Sequence, residues 1–230
     1  MLLVKDMNFK LKNSKKFRLI AKIIGLFALT LLILILPEFG QYKSSRKKDA
    51  DYIPALTMTG GNPYIRALMR TISASEANDS NPYTLLYGGK HFSDFNAHPN
   101  QCITIVSGPH QGDCSTAAGR YQLLTATWLE KRQKYHPKHS KPLTVTSYSF
   151  DPRSQDEVVY AWLNDHHAWG VDIAELLKQG KLEQVLQLLS GTWTSLGYGK
   201  ENNSMTSLIP QIYQKVLAEE LAQLNPPSSR

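Results

Sequence analysis

Residues 71–78, TISASEAN, decide the fold of this chain, because they end a predicted helix on a carboxylate, that of Glu76. Upstream, Asn62 is a favourable N-cap and Pro63 suits the first helical position. Apolar residues recur between these ends at helical spacing, so one face of the helix is expected in the core. The run 78–82, NDSNP, ends the helix, because the residue before a proline disfavours the α region. Glu76 therefore lies on the last turn, beside small residues that leave room for a ligand.

The chain downstream of this helix predicts a small β region followed by helices. Two short strands are expected at residues 83–87 and 102–106, where β-branched and aromatic residues precede turn signals. Helices are expected over residues 125–134, 151–168, 171–178, 181–190 and 204–221. No internal repeat and no second linker interrupts the globular composition. We therefore expect one α+β, mainly α domain over residues 62–224, with a tail at 225–230.

The positive charge of the chain is confined to its N-terminus. Residues 1–48 carry eleven Lys and Arg side chains against two acidic ones, a local charge of +9, whereas the other 182 residues sum to −2. A nucleic-acid-binding protein would carry its basic patch on the folded domain. The distribution therefore argues against nucleic acid as a partner and points to a membrane.

A hydrophobic run at residues 19–36 predicts a transmembrane helix, since its eighteen residues are close to the minimum for a bilayer. More basic residues precede this run than follow it, which places the segment 1–18 in the cytoplasm and exports the rest. A cleaved signal peptide is the alternative, but residues 37–41 offer no small-x-small cleavage site. Residues 37–61 then form a polar tether. The expected location is the inner membrane, with the domain in the periplasm.

The two cysteines, Cys102 and Cys114, both lie in the part of the chain that is expected to be exported. Oxidising compartments favour disulfides. Turn signals between them indicate a chain reversal that brings the two ends within disulfide geometry, although two reduced thiols are the alternative. Neither cysteine has metal-ligand spacing with a histidine, and His166 and His167 point to different helix faces. We expect neither a metal nor a cofactor.

Several motifs resemble those of the phage lambda endolysin family of lytic transglycosylases, in the same order and at similar spacing. They are Ser75-Glu76, YGG at 87–89, FSDF at 92–95 with His98-Pro99, AGRYQLL at 118–124, Trp193-x-Ser195-Leu196 and GYG at 197–199. The resemblance covers about residues 62–222 and implies a lysozyme-like fold. It leaves the predicted anchor and tether outside the family pattern. Thr84 stands where the family pattern has an aspartate, so any substrate contact of that carboxylate is absent or replaced.

The resemblance also implies the chemistry. These enzymes cleave the MurNAc–GlcNAc bond of peptidoglycan glycan strands and leave a 1,6-anhydro sugar, so Glu76 would be the single general acid and base. The substrate's own C6 hydroxyl is the nucleophile, and no second carboxylate is needed to activate water. Glu76 must start protonated near neutral pH, a state that partial burial against apolar neighbours favours.

Five further residues are expected to bind substrate: Tyr121, Gln122, Tyr198, Asp94 and His98. Tyr121 and Gln122 precede a helix and have side chains suited to stacking on sugars and bonding them, although Tyr121 fits the core equally well. Tyr198 lies between two glycines in a loop, and Asp94 either lines the cleft or orients its own loop. Host-wall remodelling, opening of the wall for a secretion machine and phage lysis are all compatible with such a domain.

Two other functions remain open at this stage. A hydrolytic muramidase would pair Glu76 with Asp94 or Asp79. A non-catalytic peptidoglycan-binding protein would use the same scaffold without chemistry, although the intact Ser75-Glu76 pair argues against it.

Overall fold

The computed structural model describes residues 53–108, 110–137, 148–198 and 204–224, all of which belong to one compact unit, Tyr52–Arg230. The predicted segments 1–18, 19–36 and 225–230 lie outside the described residues. No helix in the described part of the chain combines the length and the apolarity needed to cross a membrane. The described unit is mainly helical with a small sheet, as the sequence predicted.

The helices follow one another in the order that the sequence predicted, whereas the two strands are not the predicted pair. The helices are α1 (Pro63–Glu76), α2 (Thr125–Tyr135), α3 (Pro152–Asn164), α4 (His166–Trp169), α5 (Ile173–Lys178), α6 (Leu182–Leu189) and α7 (Ile209–Leu224), and the strands are β1 (Ile103–Thr104) and β2 (Cys114–Ser115). The two strands pair antiparallel, with Ile103 opposite Ser115. A disulfide joins Cys102 to Cys114 across their ends, with the Cα atoms 5.4 Å apart.

Helix α1 is the central element, and its buried residues run from Ile65 to Ser75. It begins as predicted: Asn62 Oδ1 accepts hydrogen bonds from the amides of Tyr64 (2.9 Å) and Ile65 (3.4 Å), and Pro63 follows the cap. Helices α3, α5 and α7 pack around it. The helix ends at Glu76, where the next residue leaves the helical region.

Two predicted elements differ from the observed ones. The strand expected at residues 83–87 is a 3-10 turn, Pro82–Thr84, followed by isolated bridges, because Leu85 pairs with His91 and Leu86 pairs with Ala118 instead of joining one ladder. The helix expected over residues 151–168 divides at Asp165, whose Oδ1 accepts from the amide of His167 (3.0 Å) and so starts α4.

A buried ion cluster fixes α7 against α1. The Glu220 carboxylate is 2% exposed and accepts from Arg66 Nε (2.5 Å) and Arg70 Nη1 (3.1 Å). Arg70 Nη2 also reaches Glu219 at 2.5 Å. Removing one partner of such a cluster leaves an uncompensated buried charge, which is strongly destabilising.

The predicted tether is wrong at its C-terminal end, because residues 53–61, here called the N-terminal segment, pack into the domain. Ile53, Leu56 and Met58 are each at most 8% exposed and belong to the hydrophobic core. The segment forms neither helix nor strand, so periodicity in the sequence does not reveal its burial.

Side chains from distant parts of the chain provide the hydrogen bonds that a helix or sheet would otherwise supply to this segment. Arg120 donates to the carbonyls of Pro54 (2.6 Å) and Ala55 (2.9 Å). Asp156 Oδ2 accepts from the amides of Thr57 (2.7 Å) and Met58 (3.2 Å). Buried backbone groups need partners, and here charged side chains supply them.

Truncation tests whether the N-terminal segment contributes to the stability of the domain. A chain starting at Asn62 should unfold with a free energy at least about 4 kcal/mol lower than a chain starting at Tyr52, since it loses three buried apolar side chains and leaves Arg120 and Asp156 short of partners. Urea unfolding followed by tryptophan fluorescence measures the difference. Thr59→Ala, at an exposed position in the same segment, is the control and should change stability by less than about 0.5 kcal/mol. Equal unfolding midpoints for the two lengths would refute the packing role.

Candidate active site

Glu76 is held at the end of α1 by a residue from a distant turn. Its side chain is partly exposed, whereas its neighbours Ser75 and Ala77 are buried. Ser195 Oγ donates a hydrogen bond to Glu76 Oε1 over 2.5 Å. The two residues lie 119 positions apart, so the fold brings this contact together.

Ser195 is itself fixed by two other hydroxyl groups. It lies in the 3-10 turn Thr194–Leu196, and Ser75 Oγ is 2.8 Å from its Oγ and 3.0 Å from its carbonyl oxygen. Thr206 Oγ1 donates to the same carbonyl at 3.0 Å. The hydroxyl that contacts the carboxylate of Glu76 therefore has little freedom to move.

Trp193 anchors the turn that carries Ser195. It is 2% exposed, and its indole Nε1 donates to the carbonyl of Tyr121 at 3.1 Å. Its ring packs beside those of Trp162 and Trp169, with centroids 5.4 and 6.5 Å away. Burial of an indole that also satisfies its N–H fixes both the position and the rotation of the side chain.

Thr84, the position at which the chain departs from the family pattern, is part of a polar group close in sequence to Glu76. Its Oγ1 lies 2.7 Å from His91 Nδ1, and His91 Nε2 lies 3.8 Å from Asp79 Oδ2. Asp79 follows the end of α1 by three residues. A hydroxyl paired with an imidazole thus occupies the position where the family pattern has a carboxylate.

The turn 119–122 presents Gln122 in a strained conformation. Its φ is +44°, a left-handed value that costs free energy for a residue with a Cβ and that recurs at functional sites. Gln122 Nε2 donates to the carbonyls of Leu85 (3.2 Å) and Gly119 (3.0 Å), which links the turn to the bridge of Leu85 with His91. The half-buried amide stays a predicted substrate contact.

Tyr121 is a core residue, so its predicted sugar contact is wrong. It is 1% exposed, and its hydroxyl donates to Asp156 Oδ1 at 2.6 Å. Burial, reinforced by the negative charge of Asp156, raises the pKa of Tyr121 well above its ordinary value, so the hydroxyl remains a donor. The sequence motif showed that a tyrosine occurs at this position, but it did not show that the side chain points into the core.

His98 is also structural, which corrects its predicted role in substrate binding. It is 7% exposed, and its ring packs on Phe150 with centroids 4.7 Å apart. Its Nε2 lies 2.8 Å from the carbonyl of Leu123, and its Nδ1 lies 3.2 Å from the amide of Asn100 and 3.1 Å from Thr125 Oγ1. Both ring nitrogens are thus engaged in fastening the 91–101 loop to the start of α2.

Asp94 and Tyr198 lie on the surface, and their substrate contacts stay predictions. Asp94 Oδ1 accepts from the amide of Asn96 at 2.8 Å, and the residue lines a surface depression formed by the 91–101 loop. Tyr198 is 45% exposed at a φ of +61°, with its hydroxyl donating to the carbonyl of Glu183 at 3.1 Å. That bond holds the aromatic ring at the surface.

Sequence reasoning did not assign site roles to Ser195 and His91. Nothing local marks either residue: Ser195 occurs within a quoted motif without a role, and His91 follows a lysine in a turn. The Ser195 contact joins segments 119 positions apart, whereas His91 meets Thr84 only seven positions away, beside the bridge of Leu85 with His91. Within the described ranges, no group of three or more His, Cys, Asp or Glu side chains has the arrangement of a metal site.

Comparison with known proteins adds evidence independent of the geometry. The Endolysin family model matches residues 66–219. The endolysin of Escherichia phage lambda is 29% identical over 154 residues, which cover 63% of this chain and 85% of that protein. The endolysin of Escherichia phage P2 is 26% identical over 162 residues, which cover 63% of this chain and 88% of that protein.

A solved structure gives the same result for the fold. Bacteriophage lambda lysozyme, complexed with a chitohexasaccharide, superposes with a TM-score of 0.50 and 26% identity. The match covers 69% of this chain and 97% of that one. The predicted lysozyme-like fold is therefore confirmed for the described unit.

The pH dependence of stability tests the structural role of His98. Burial lowers the pKa of His98 below its ordinary value of 6.5, against the opposing effect of the Leu123 carbonyl. As the pH falls below 6.5, His98 therefore takes up a proton more readily in the unfolded chain than in the folded one. The free energy of unfolding then decreases with falling pH until the folded pKa of His98 is reached. His98→Gln should be less stable than wild type at pH 7.5 and should lose less stability between pH 7.5 and pH 5.5.

Urea unfolding at a series of pH values measures this difference. His110→Gln is the matched control, because the His110 side chain is 71% exposed. His110→Gln should lose as much stability between pH 7.5 and pH 5.5 as the wild type does. An identical decline in His98→Gln and wild type would contradict the assignment.

Proposed function

The chain belongs to the endolysin family, whose relatives act on peptidoglycan, and from this membership we propose that it is a peptidoglycan lytic transglycosylase with Glu76 as its single general acid and base. Degradation of peptidoglycan by a lysozyme-like glycosidase activity is the family's function. The bond cleaved would be that between MurNAc and GlcNAc. The product would carry 1,6-anhydro-MurNAc at its new end.

The proposed reaction needs one carboxyl group in two protonation states. Protonated Glu76 gives its proton to the glycosidic oxygen as the bond from that oxygen to C1 of MurNAc breaks. The C6 hydroxyl of the same sugar then attacks C1, and the Glu76 carboxylate accepts the hydroxyl proton. The acid is regenerated, no water is consumed, and an intramolecular nucleophile gains from its proximity.

The observation that carries this proposal is that Glu76 and the two aspartates that a muramidase would use, Asp79 and Asp94, accept hydrogen bonds of different kinds. Glu76 is partly exposed and oriented by Ser195. Asp79 Oδ1 instead accepts from the amide of Asn81 at 2.6 Å, and Asp94 accepts from its own turn in the same way. Such bonds are typical of turn-stabilising aspartates. A mechanism with one carboxylate fits this division better than one with two.

Hydrolysis by a muramidase is the second candidate, and one observation favours it. The Asp79–His91–Thr84 group offers an imidazole and a hydroxyl that are suited to holding a water molecule. If that water attacked C1 in place of the C6 hydroxyl, the product would be a reducing-end MurNAc. The acid role of Glu76 would be the same in both reactions.

We also propose that residues 19–36 anchor the enzyme in the inner membrane, with residues 1–18 cytoplasmic and the catalytic domain in the periplasm. The support is the run of eighteen mostly apolar residues and the larger number of basic residues before it. This location would place the domain beside its polymeric substrate.

Product analysis tests the proposed reaction. Purified sacculi incubated with the wild-type protein should release fragments ending in 1,6-anhydro-MurNAc, which mass spectrometry separates from reducing-end MurNAc by the mass of one water. Glu76→Gln should lower release at least about 100-fold, because glutamine cannot donate and then accept the proton.

The matched control is Glu130→Gln, at a side chain that is 70% exposed and paired with Lys131. It should retain full activity and give the same products. Reducing-end products would favour the muramidase, and near-wild-type turnover by Glu76→Gln would remove Glu76 from the mechanism.

A topology experiment tests the anchor. Alkaline phosphatase, which is active only after export, should be active when fused after Arg230 and inactive when residues 1–36 are deleted. The full-length protein should remain in the membrane fraction after alkaline extraction. A processed, soluble periplasmic form would show instead that the segment is cleaved or released.

A further inference from the structure

We infer that Ser195 is a positioning residue for Glu76, and that Ser75 and Ser195 form a hydroxyl chain that selects which carboxylate oxygen carries the catalytic proton. This inference rests on the proposed role of Glu76 as general acid. It does not depend on whether the sugar hydroxyl or water is the nucleophile. The hydroxyl chain is defined by Ser75 Oγ, Ser195 Oγ and the Glu76 oxygen that accepts from it, Oε1.

The number of hydroxyl hydrogen atoms sets the direction of these bonds. Each serine hydroxyl carries one hydrogen and can accept through its lone pairs. Ser195 uses its hydrogen on Glu76 Oε1, at 2.5 Å. Ser75 can then donate to Ser195 Oγ, at 2.8 Å, so that the bonds run in one direction from Ser75 through Ser195 to Glu76.

A second acceptor competes for the hydrogen of Ser75. Ser75 Oγ also lies 3.0 Å from the carbonyl oxygen of Ser195. Thr206 Oγ1 already donates to that carbonyl. The shorter distance favours donation by Ser75 to the Ser195 hydroxyl, which directs the Ser195 hydrogen at Glu76.

A fixed donor acts differently on the two protonation states of a carboxyl group. When Glu76 is protonated, the oxygen that accepts from Ser195 is its carbonyl oxygen, so the acid proton is carried on Oε2. As that proton leaves for the glycosidic oxygen, negative charge develops and the bond from Ser195 becomes charge-assisted and stronger. A donor that is already in place when charge develops favours the transition state over the ground state.

Burial makes this donor difficult to replace. Ser75 is 7% exposed and Ser195 is 8% exposed, so bulk water has little access to the two hydroxyls. Bonds in a sequence of this kind polarise and strengthen one another. Loss of the Ser195 hydroxyl should therefore reduce turnover without changing any group that touches the sugar.

The experiment measures initial rates against pH on soluble peptidoglycan fragments with the full-length protein. Ser195→Ala should lower kcat about 10- to 100-fold, the range expected for one hydrogen bond to a charged group, and leave KM within about twofold. The alkaline limb of the profile, which reports loss of the acid proton, should move to higher pH because the ionised form has lost a donor. Binding to sacculi in a sedimentation assay should be unchanged.

Two further variants keep the inference falsifiable if Ser195→Ala folds poorly. Ser75→Ala removes the hydroxyl farther from the carboxylate and should produce a smaller effect with the same sign. Ser195→Thr retains a hydroxyl, so its kcat should be higher than that of Ser195→Ala and the alkaline limb of its pH profile should return to the wild-type position. Ser190→Ala is the control, since Ser190 is 4% exposed and, as the residue that follows α6, donates its hydroxyl to the carbonyl of Gln187 in the last turn of that helix.

The outcomes separate this inference from the proposed function. If Glu76→Gln is inactive while Ser195→Ala keeps the wild-type kcat and limb, the hydroxyl chain is overturned and the role of Glu76 stands. An equal loss of kcat in Ser190→Ala would also overturn it, because the loss would then follow from removal of any buried hydroxyl. If Ser195→Ala behaves as expected and the products are reducing sugars, the inference holds and the transglycosylase proposal fails.

Discussion

The buried carboxylate of Asp156 is the group on which the arrangement of the site depends. It is fully buried, and it accepts hydrogen bonds from the Tyr83 hydroxyl (2.8 Å), the Tyr121 hydroxyl (2.6 Å) and the N-terminal segment. Tyr83 directly precedes Thr84, and Tyr121 directly precedes Gln122. Burial and the proximity of Asp156, against the opposing effect of Arg120, raise the pKa of Tyr83 to about 12, so its hydroxyl remains a donor to the carboxylate. One buried carboxylate in α3 thus holds the side chains of two tyrosines that directly precede candidate site residues.

Tyr121 connects Asp156 to the part of the site that contains Glu76. Its hydroxyl bonds to Asp156, while its carbonyl accepts from the indole of Trp193. Trp193 begins the turn that presents Ser195 to Glu76. A displacement at Asp156 would therefore reach Glu76, the proposed general acid, through a short series of buried contacts. The residue first expected to touch the sugar instead connects the elements that position the residues around it.

Sequence reasoning succeeded where the determinants were local. The cap at Asn62, the proline after it and the end of α1 at Glu76 follow from residues within one helix, and the structure has them as predicted. It failed where partners were distant. The N-terminal segment is neither helix nor strand, because Arg120 and Asp156 supply hydrogen-bond partners to its backbone. These two residues are far from the segment along the chain, so no local sequence pattern reveals that it is buried. Ser195 is 119 residues from Glu76, and no local pattern connects them.

The backbone of the 119–122 turn shows why such a buried network is needed. Gly119 has a φ of +74°, and a Cβ there would collide with Gln155, so only glycine fits. Gln122 takes a left-handed conformation without that freedom. Gln155 supports the turn, because its Oε1 accepts from the amide of Arg120 (2.9 Å) and its Nε2 donates to the carbonyl of Tyr83 (3.0 Å). Backbone strain of this kind persists only where surrounding contacts over-determine it. The buried glutamine therefore stabilises a conformation that the turn would not keep alone, and it does so at the turn that carries a candidate substrate contact.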